Sequence, residues 1–269
     1  MKFASSSLLL AFASAHLLAQ ETKPFQNFPK EQLHIWTSPL RVEKKQLPWL
    51  IAFGAGAAAL IAADKHISHQ LPNSEAQLRW GTRLSRTGSS YGVLAIGGGL
   101  LATSALRHDT RMRRTAFASI ESLGHSLALT YGLKLITSRE RPGSGSGQGH
   151  FWSGYGDAFG GNKSFPSGHA MESWAVASVI AHEYKDKAFV PWLAYGFASM
   201  VSASRVAAQR HYVSDVAIGA AAGYLLGSLV HSRYAPSGAS GKHGWLRPSI
   251  QPTIQPSRGL MALTLRWGR

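Results

Sequence analysis

The chain contains no cysteine. That excludes a disulfide framework, a thiolate nucleophile and a zinc site built on thiolates. Charged residues make up only 15% of the 269 positions against 45% apolar ones, which is not the composition of a disordered chain. Acidic residues are the scarcest: 13 against 28 Lys and Arg, for a formal net charge of +15 at pH 7. Such an excess calls for nucleic acid, an anionic membrane surface or an anionic substrate. No basic stripe interleaved with aromatics and no nucleic-acid-binding module is present, so nucleic acid is set aside. Many of the basic residues flank apolar segments, which fits a membrane or a phosphate group better.

Long unbroken hydrophobic runs are also missing. Six shorter apolar segments take their place: Leu50–Ala63, Tyr91–Leu106, Thr115–Ile136, Ala170–Tyr184, Phe189–Ser202 and Val213–His231. They are rich in small residues and lack the alternation of strands, so they read as helices. The fold class is therefore all-α, a six-helix bundle associated with a membrane. At roughly 14–22 residues, several segments are short of the roughly 20 needed for a full span, and 50–63 reads as the one that does not cross. Residues 1–20 read as a signal peptide, with Lys2, the apolar stretch Leu8–Ala15 and the small-residue pattern Ala13-Ser14-Ala15. Residues 21–47 are a polar, proline-bearing arm with at most short helical turns, and residues 48–231 are the helical domain. Residues 232–269 form a tail in which 246–255 and 259–267 read as two short strands.

Three clusters carry chemistry: Lys134 with Arg141-Pro142, then Pro166-Ser167-Gly168-His169, then Ser204-Arg205 with His211 and Asp215. A phosphoryl group in transfer spreads charge over its equatorial oxygens, so catalysis is mostly positioning, fixed positive charge and N–H donors. Lys134, Arg141 and Arg205 supply cations, and the two arginines can grip oxygens in a bidentate way. Ser167 and Gly168 stand before the fourth segment, whose first N–H groups are unpaired, and Gly168 lets backbone approach an anion. His211 and Asp215 are four apart. At a helix start this puts both on one face, with the carboxylate holding the imidazole tautomer. His169 then stands as proton donor to the leaving oxygen. Between the first two clusters, residues 143–149 are nearly all Gly and Ser and read locally as a flexible linker at the edge of the site.

The pattern K-x6-RP, PSGH and SR-x5-H-x3-D resembles the signature of the type 2 phosphatidic acid phosphatase superfamily, which includes lipid phosphatases, bacterial acid phosphatases and vanadium haloperoxidases. The resemblance extends over about residues 48–231, with every specified position filled in order. It implies a helical bundle with the site at one end, His211 as nucleophile, Asp215 as its orienting partner and His169 as acid. It also implies phosphate binding by Lys134, Arg141, Ser167, Gly168 and Arg205, with no cofactor and no metal. The expected activity is hydrolysis of a phosphomonoester or pyrophosphate, of a lipid in the leading reading. A soluble periplasmic acid phosphatase, or a haloperoxidase holding vanadate in the same cradle, is the alternative.

Other residues are given lesser roles. His125 and Glu121, one turn apart, read as a buried polar pair, and Arg139 and Arg210 as solvated or anion-steering. No carboxylate or histidine cluster has metal spacing. Charge also orients the bundle. Arg107, Arg111, Arg113, Arg114, Lys185 and Lys187 fall in loops on one side, so the positive-inside rule puts all three clusters on the extracytoplasmic side.

Overall fold

The computed structural model describes residues 24–144, 146–154, 162–234, 248–255 and 260–267. The signal-peptide reading and the segment joining the two strands lie outside them. The described residues of the first 234 positions form one compact unit of eight α-helices. These are α1 (Phe28–Trp36), α2 (Leu47–Gln70), α3 (Glu75–Thr87), α4 (Ser90–Arg107), α5 (Thr110–Thr137), α6 (Gly168–Glu183), α7 (Phe189–Ala207) and α8 (Val213–Tyr234). The tail is a separate unit holding an antiparallel pair, β1 (Pro248–Gln255) and β2 (Leu260–Trp267), in a register from Pro248↔Trp267 to Gln255↔Leu260.

Local chemistry sets the helix boundaries. Ser74 and Asp109 cap α3 and α5 by accepting from the backbone N–H groups of Gln77 and Met112 at 3.2 and 3.0 Å. Pro48 in the first turn suits the start of α2. α5 ends where Ser138 turns left-handed, φ 40°. The centre of the unit is α6 against α8, and small residues make that packing possible. A Cβ at Gly219, Gly223 or Gly227 would lie 2.8, 2.2 and 2.1 Å from the carbonyl oxygens of Ser167, Met171 and Ala175, so only glycine permits this backbone approach.

Two expectations are revised. The segment 50–63 belongs to a 24-residue helix, and Lys44–Gln70 is one of three stretches long and apolar enough to cross a membrane, with Glu75–Arg107 and Val213–Tyr234. The helix does not stop at Asp64-Lys65-His66, because Asp64 is buried against the bundle instead of facing solvent. Within the arm, residues 28–36 are helical and lie along α5: Phe28 stacks on His125 at 4.4 Å, and Trp36 covers Gly132. The outer surface is apolar, with Trp192 82% and Leu106 83% exposed beside Trp49, Ile51 and Phe53. Exposed apolar surface of this extent matches a lipid environment.

Candidate active site

The predicted site residues come from four helix ends and the turns beside them. Lys134 is in the last turn of α5 and Arg205 in the last turn of α7. Ser167 is the N-cap of α6, followed by Gly168 and His169. Asp215 sits in the first turn of α8. The N-termini of α6 and α8 therefore open at the same end, and each favours negative charge. Ser167 N–H donates to the Asp215 carbonyl at 3.1 Å, which ties these two helix starts together.

Three cations converge here, and none of them forms an ion pair with a carboxylate among the described residues. Lys134 Nζ donates to the Lys163 carbonyl at 2.6 Å, and Arg141 Nη2 reaches the same oxygen at 3.5 Å. Arg205 Nη1 donates to Ser85 Oγ of α3 at 2.8 Å. Arg141 Nε, Arg205 Nε and the Ser167 hydroxyl are buried with no hydrogen-bond partner among the described residues. An unmet buried polar group costs about 1–3 kcal/mol, and three of them converge on predicted phosphate ligands, where an anion could accept from each. Beside Arg141 and Arg210 a cavity of about 710 Å³ opens, lined largely by polar residues that include Ser68, Asn73, Thr82, Ser144 and Gln209.

His211 is 2% exposed. Burial first, then the charges of Lys134, Arg141, Arg205 and His169, hold its imidazole well below the usual histidine range, so it is neutral near pH 7. Arg141 is lowered to about 10 by burial and by Arg210, and so remains a cation there. His211 Nδ1 lies 2.7 Å from the Ser164 carbonyl. A carbonyl only accepts, so Nδ1 carries the proton and the lone pair is on Nε2.

This corrects the role expected of Asp215. Its Oδ2 is 3.8 Å from His211 Nδ1, beyond hydrogen-bond reach. His211 precedes α8 and is not part of it, so the spacing of four does not place the two side chains on one helical face. Asp215 instead accepts from Ser164 Oγ at 2.5 Å, Tyr212 N at 2.9 Å and Arg139 Nη1 at 2.6 Å. Ser164 is thus the link between carboxylate and imidazole, one the sequence pattern did not reveal.

Arg139 is likewise neither solvated nor steering. It is buried, its guanidinium lies between the rings of Phe151 and Tyr212 at 4.6 and 4.4 Å, and it pairs with Asp64 as well as Asp215. The Gly/Ser segment is pinned rather than free. Gly149 accepts from Arg139 Nε at 3.2 Å, Gly147 accepts from Tyr212 OH at 2.9 Å, and Ser146 donates to Glu140 at 2.6 Å. Gly147 and Gly149 have φ of 67° and 73°, and a Cβ at Gly149 would strike the Tyr212 ring at 2.9 Å. Away from the site, Glu121 and His125 are buried as a pair, and α1 adds Glu31 to give ligand-type atoms within 4.8 Å of one another. Sequence spacing did not show this trio. Its carboxylates are already engaged by Arg233 at 2.5 Å and by the Tyr234 hydroxyl.

Residues 115–238 match the family model of the PAP2 superfamily. Among curated proteins, the lipid A 1-phosphatase of Porphyromonas gingivalis is 41% identical over 69 residues, 24% of this chain. That match spans only 15% of the relative's length. Among solved structures, the fold is similar to a transmembrane PAP2-type phosphatidylglycerolphosphate phosphatase from Bacillus subtilis, with TM-score 0.54 and 24% identity over 71% of this chain and 96% of that one. Aquifex aeolicus LpxE overlaps 60% of this chain and 88% of its own at 19% identity, with TM-score 0.43.

Proposed function

We propose that the protein is a membrane phosphatase that removes phosphate from a lipid phosphomonoester or pyrophosphate through a phosphohistidine intermediate. The observation that carries this reading is the set of buried, unpartnered donors on Arg141, Ser167 and Arg205 around a neutral His211 whose Nε2 is free. The names of the relatives, a lipid A 1-phosphatase and a phosphatidylglycerolphosphate phosphatase, support a lipid substrate. So does the apolar exterior, which holds the site in reach of a headgroup.

The steps follow from the residues. Lys134, Arg141 and Arg205 bind the phosphoryl oxygens, with the Ser167 hydroxyl and the N-terminus of α6 completing the cradle. His211 Nε2 attacks phosphorus and the bond to the leaving oxygen breaks. Burial, then the charges of Arg205, Lys134 and Arg141, lower His169 to about 3. The anionic substrate offsets those charges, so His169 takes up a proton with it and gives that proton to the leaving oxygen. The imidazolium formed on His211 keeps its Nδ1 proton on the Ser164 carbonyl. In the second step His169 takes a proton from water, the hydroxide attacks phosphorus, and His211 leaves as neutral imidazole with release of inorganic phosphate. The cavity beside Arg141 has room for the polar part of a headgroup. With the basic loops facing the cytoplasm, the site opens on the extracytoplasmic side.

The test is phosphate release by the purified full chain from phosphatidic acid, an isoprenyl pyrophosphate and an aryl phosphate, with EDTA present, beside His211→Ala. Turnover that persists in EDTA, falls about 10⁴-fold or more in the variant and passes through an acid-labile phosphoenzyme is expected. Wild-type turnover in His211→Ala sinks the reading.

A further inference from the structure

Asp64 lies on α2, outside every motif described above and outside the matched region 115–238. It is 2% exposed and fully engaged at the catalytic end. Its Oδ1 accepts from the backbone N–H of Ser214 at 3.0 Å. Its Oδ2 accepts from Arg139 Nη2 at 2.9 Å and from the Ser214 hydroxyl. Ser214 is in the first turn of α8, so Asp64 satisfies one of that helix's unpaired N–H groups from another helix. Arg139 then passes the connection on: its Nη1 binds Asp215 at 2.6 Å and Ser214 Oγ at 2.8 Å. Asp215 holds the Ser164 hydroxyl at 2.5 Å, and the Ser164 carbonyl holds His211 Nδ1 at 2.7 Å.

The geometry points to Asp64 as a positioning residue for His211, acting through Arg139, Asp215 and Ser164. This rests on His211 being the nucleophile. Arg139 bridges two carboxylates, and its planar fork fits both because they approach different nitrogens. With Asp64 neutralised, Arg139 loses one of its two anchors and Ser214 N–H loses its acceptor. An amide at position 64 offers one acceptor and one donor where the site presents only donors from Arg139 and the Ser214 backbone. Arg139 and the start of α8 then shift, and the seat of Ser164 and His211 shifts with them. The three cations of the cradle are not in this chain of contacts, and Ser167 meets it only through its N–H on the Asp215 backbone carbonyl. The loss therefore falls on the chemical step and spares binding. The site thereby draws on a helix that precedes the family-matched region, and the placement of α2 becomes a condition of catalysis.

The experiment compares kcat and KM of the full chain in detergent for wild type, Asp64→Asn, Arg139→Gln, the double variant and His211→Ala, with thermal melts confirming the fold. A fall in kcat of about 10–100-fold for Asp64→Asn with KM within about twofold is expected. The double variant should be no slower than Arg139→Gln, because removing Arg139 already severs the link. Wild-type kcat in Asp64→Asn, or a double variant whose loss is the product of the two single losses, overturns the proposal. If Asp64→Asn does not fold, Arg139→Lys probes the same link, since a lysine lacks the planar fork whose separate nitrogens meet Asp64 and Asp215, and an unchanged kcat there overturns it as well. A dead His211→Ala beside a fully active Asp64→Asn removes this inference alone. An active His211→Ala removes the histidine reading and this inference with it.

Discussion

At one end of the bundle Arg111 and Arg114 meet Glu183 at 3.2 and 3.1 Å, Arg111 also meets Asp186, and His231 meets Glu183 at 3.0 Å. At the other end Lys134, Arg141 and Arg205 meet, among the described residues, a carbonyl or a hydroxyl instead of a carboxylate. Both ends are rich in arginine, and the difference is in the counter-charge. The paired charges join helices through a largely buried Glu183, so they act on the fold and not on the reaction. Buried cations gathered without ion-pair partners cost stability, and a bound anion offsets that cost. Two carboxylates at this end, Asp64 and Asp215, pair with Arg139 and not with the cations of the cradle.

Breaking the unpaired end has the larger expected effect. Arg205→Lys and Arg141→Lys each keep a charge but lose the fork, and kcat/KM is expected to fall about 10²–10³-fold in each, measured on the preferred lipid phosphate. Retained activity in both would mean that bidentate grip is not what the cradle provides. A smaller effect is expected with acid. Folding lowers the His211 pKa, so below about pH 6.5 the unfolded chain takes up a proton that the folded chain refuses. This stability is fully present above that pH and is lost as pH falls, by at most about 1.4 kcal/mol per unit. In denaturation series from pH 7 to 5, wild type should lose more stability than His211→Gln, and parallel curves would contradict the burial of a neutral imidazole. The smallest effect belongs to the paired end. Glu183→Gln should leave kcat and KM within about twofold and cost on the order of 1 kcal/mol of stability, read by thermal melting. A large loss of activity there would erase the distinction between the ends.

Much of the site was legible because its chemistry is written in short motifs at turns and helix ends. Lys134, Arg141, Ser167, Gly168, His169, Arg205 and His211 are all found at one end of the bundle. What escaped were partners with no local signal. Ser164 sits two residues before Pro166 in no periodic pattern, and Ser85 faces Arg205 across 120 positions of chain. Arg139 looked like a loop cation, because nothing in its neighbourhood shows that Asp64, 75 residues earlier, reaches it. The reading of Asp215 failed for a different reason: the spacing of four was right, but the helix begins at Val213, after His211.

By itself the sequence determined the helical class, the apolar segments and the motif residues, because helix periodicity, capping and turn chemistry act over a few residues. Only the tertiary structure decided which groups share a hydrogen bond. It laid α1 along α5, carried Asp64 to the start of α8, and placed the Ser164 carbonyl, not the Asp215 carboxylate, against His211. Those pairings depend on how helix ends meet in space, and angstrom-scale differences between 2.7 and 3.8 Å leave no trace in residue order.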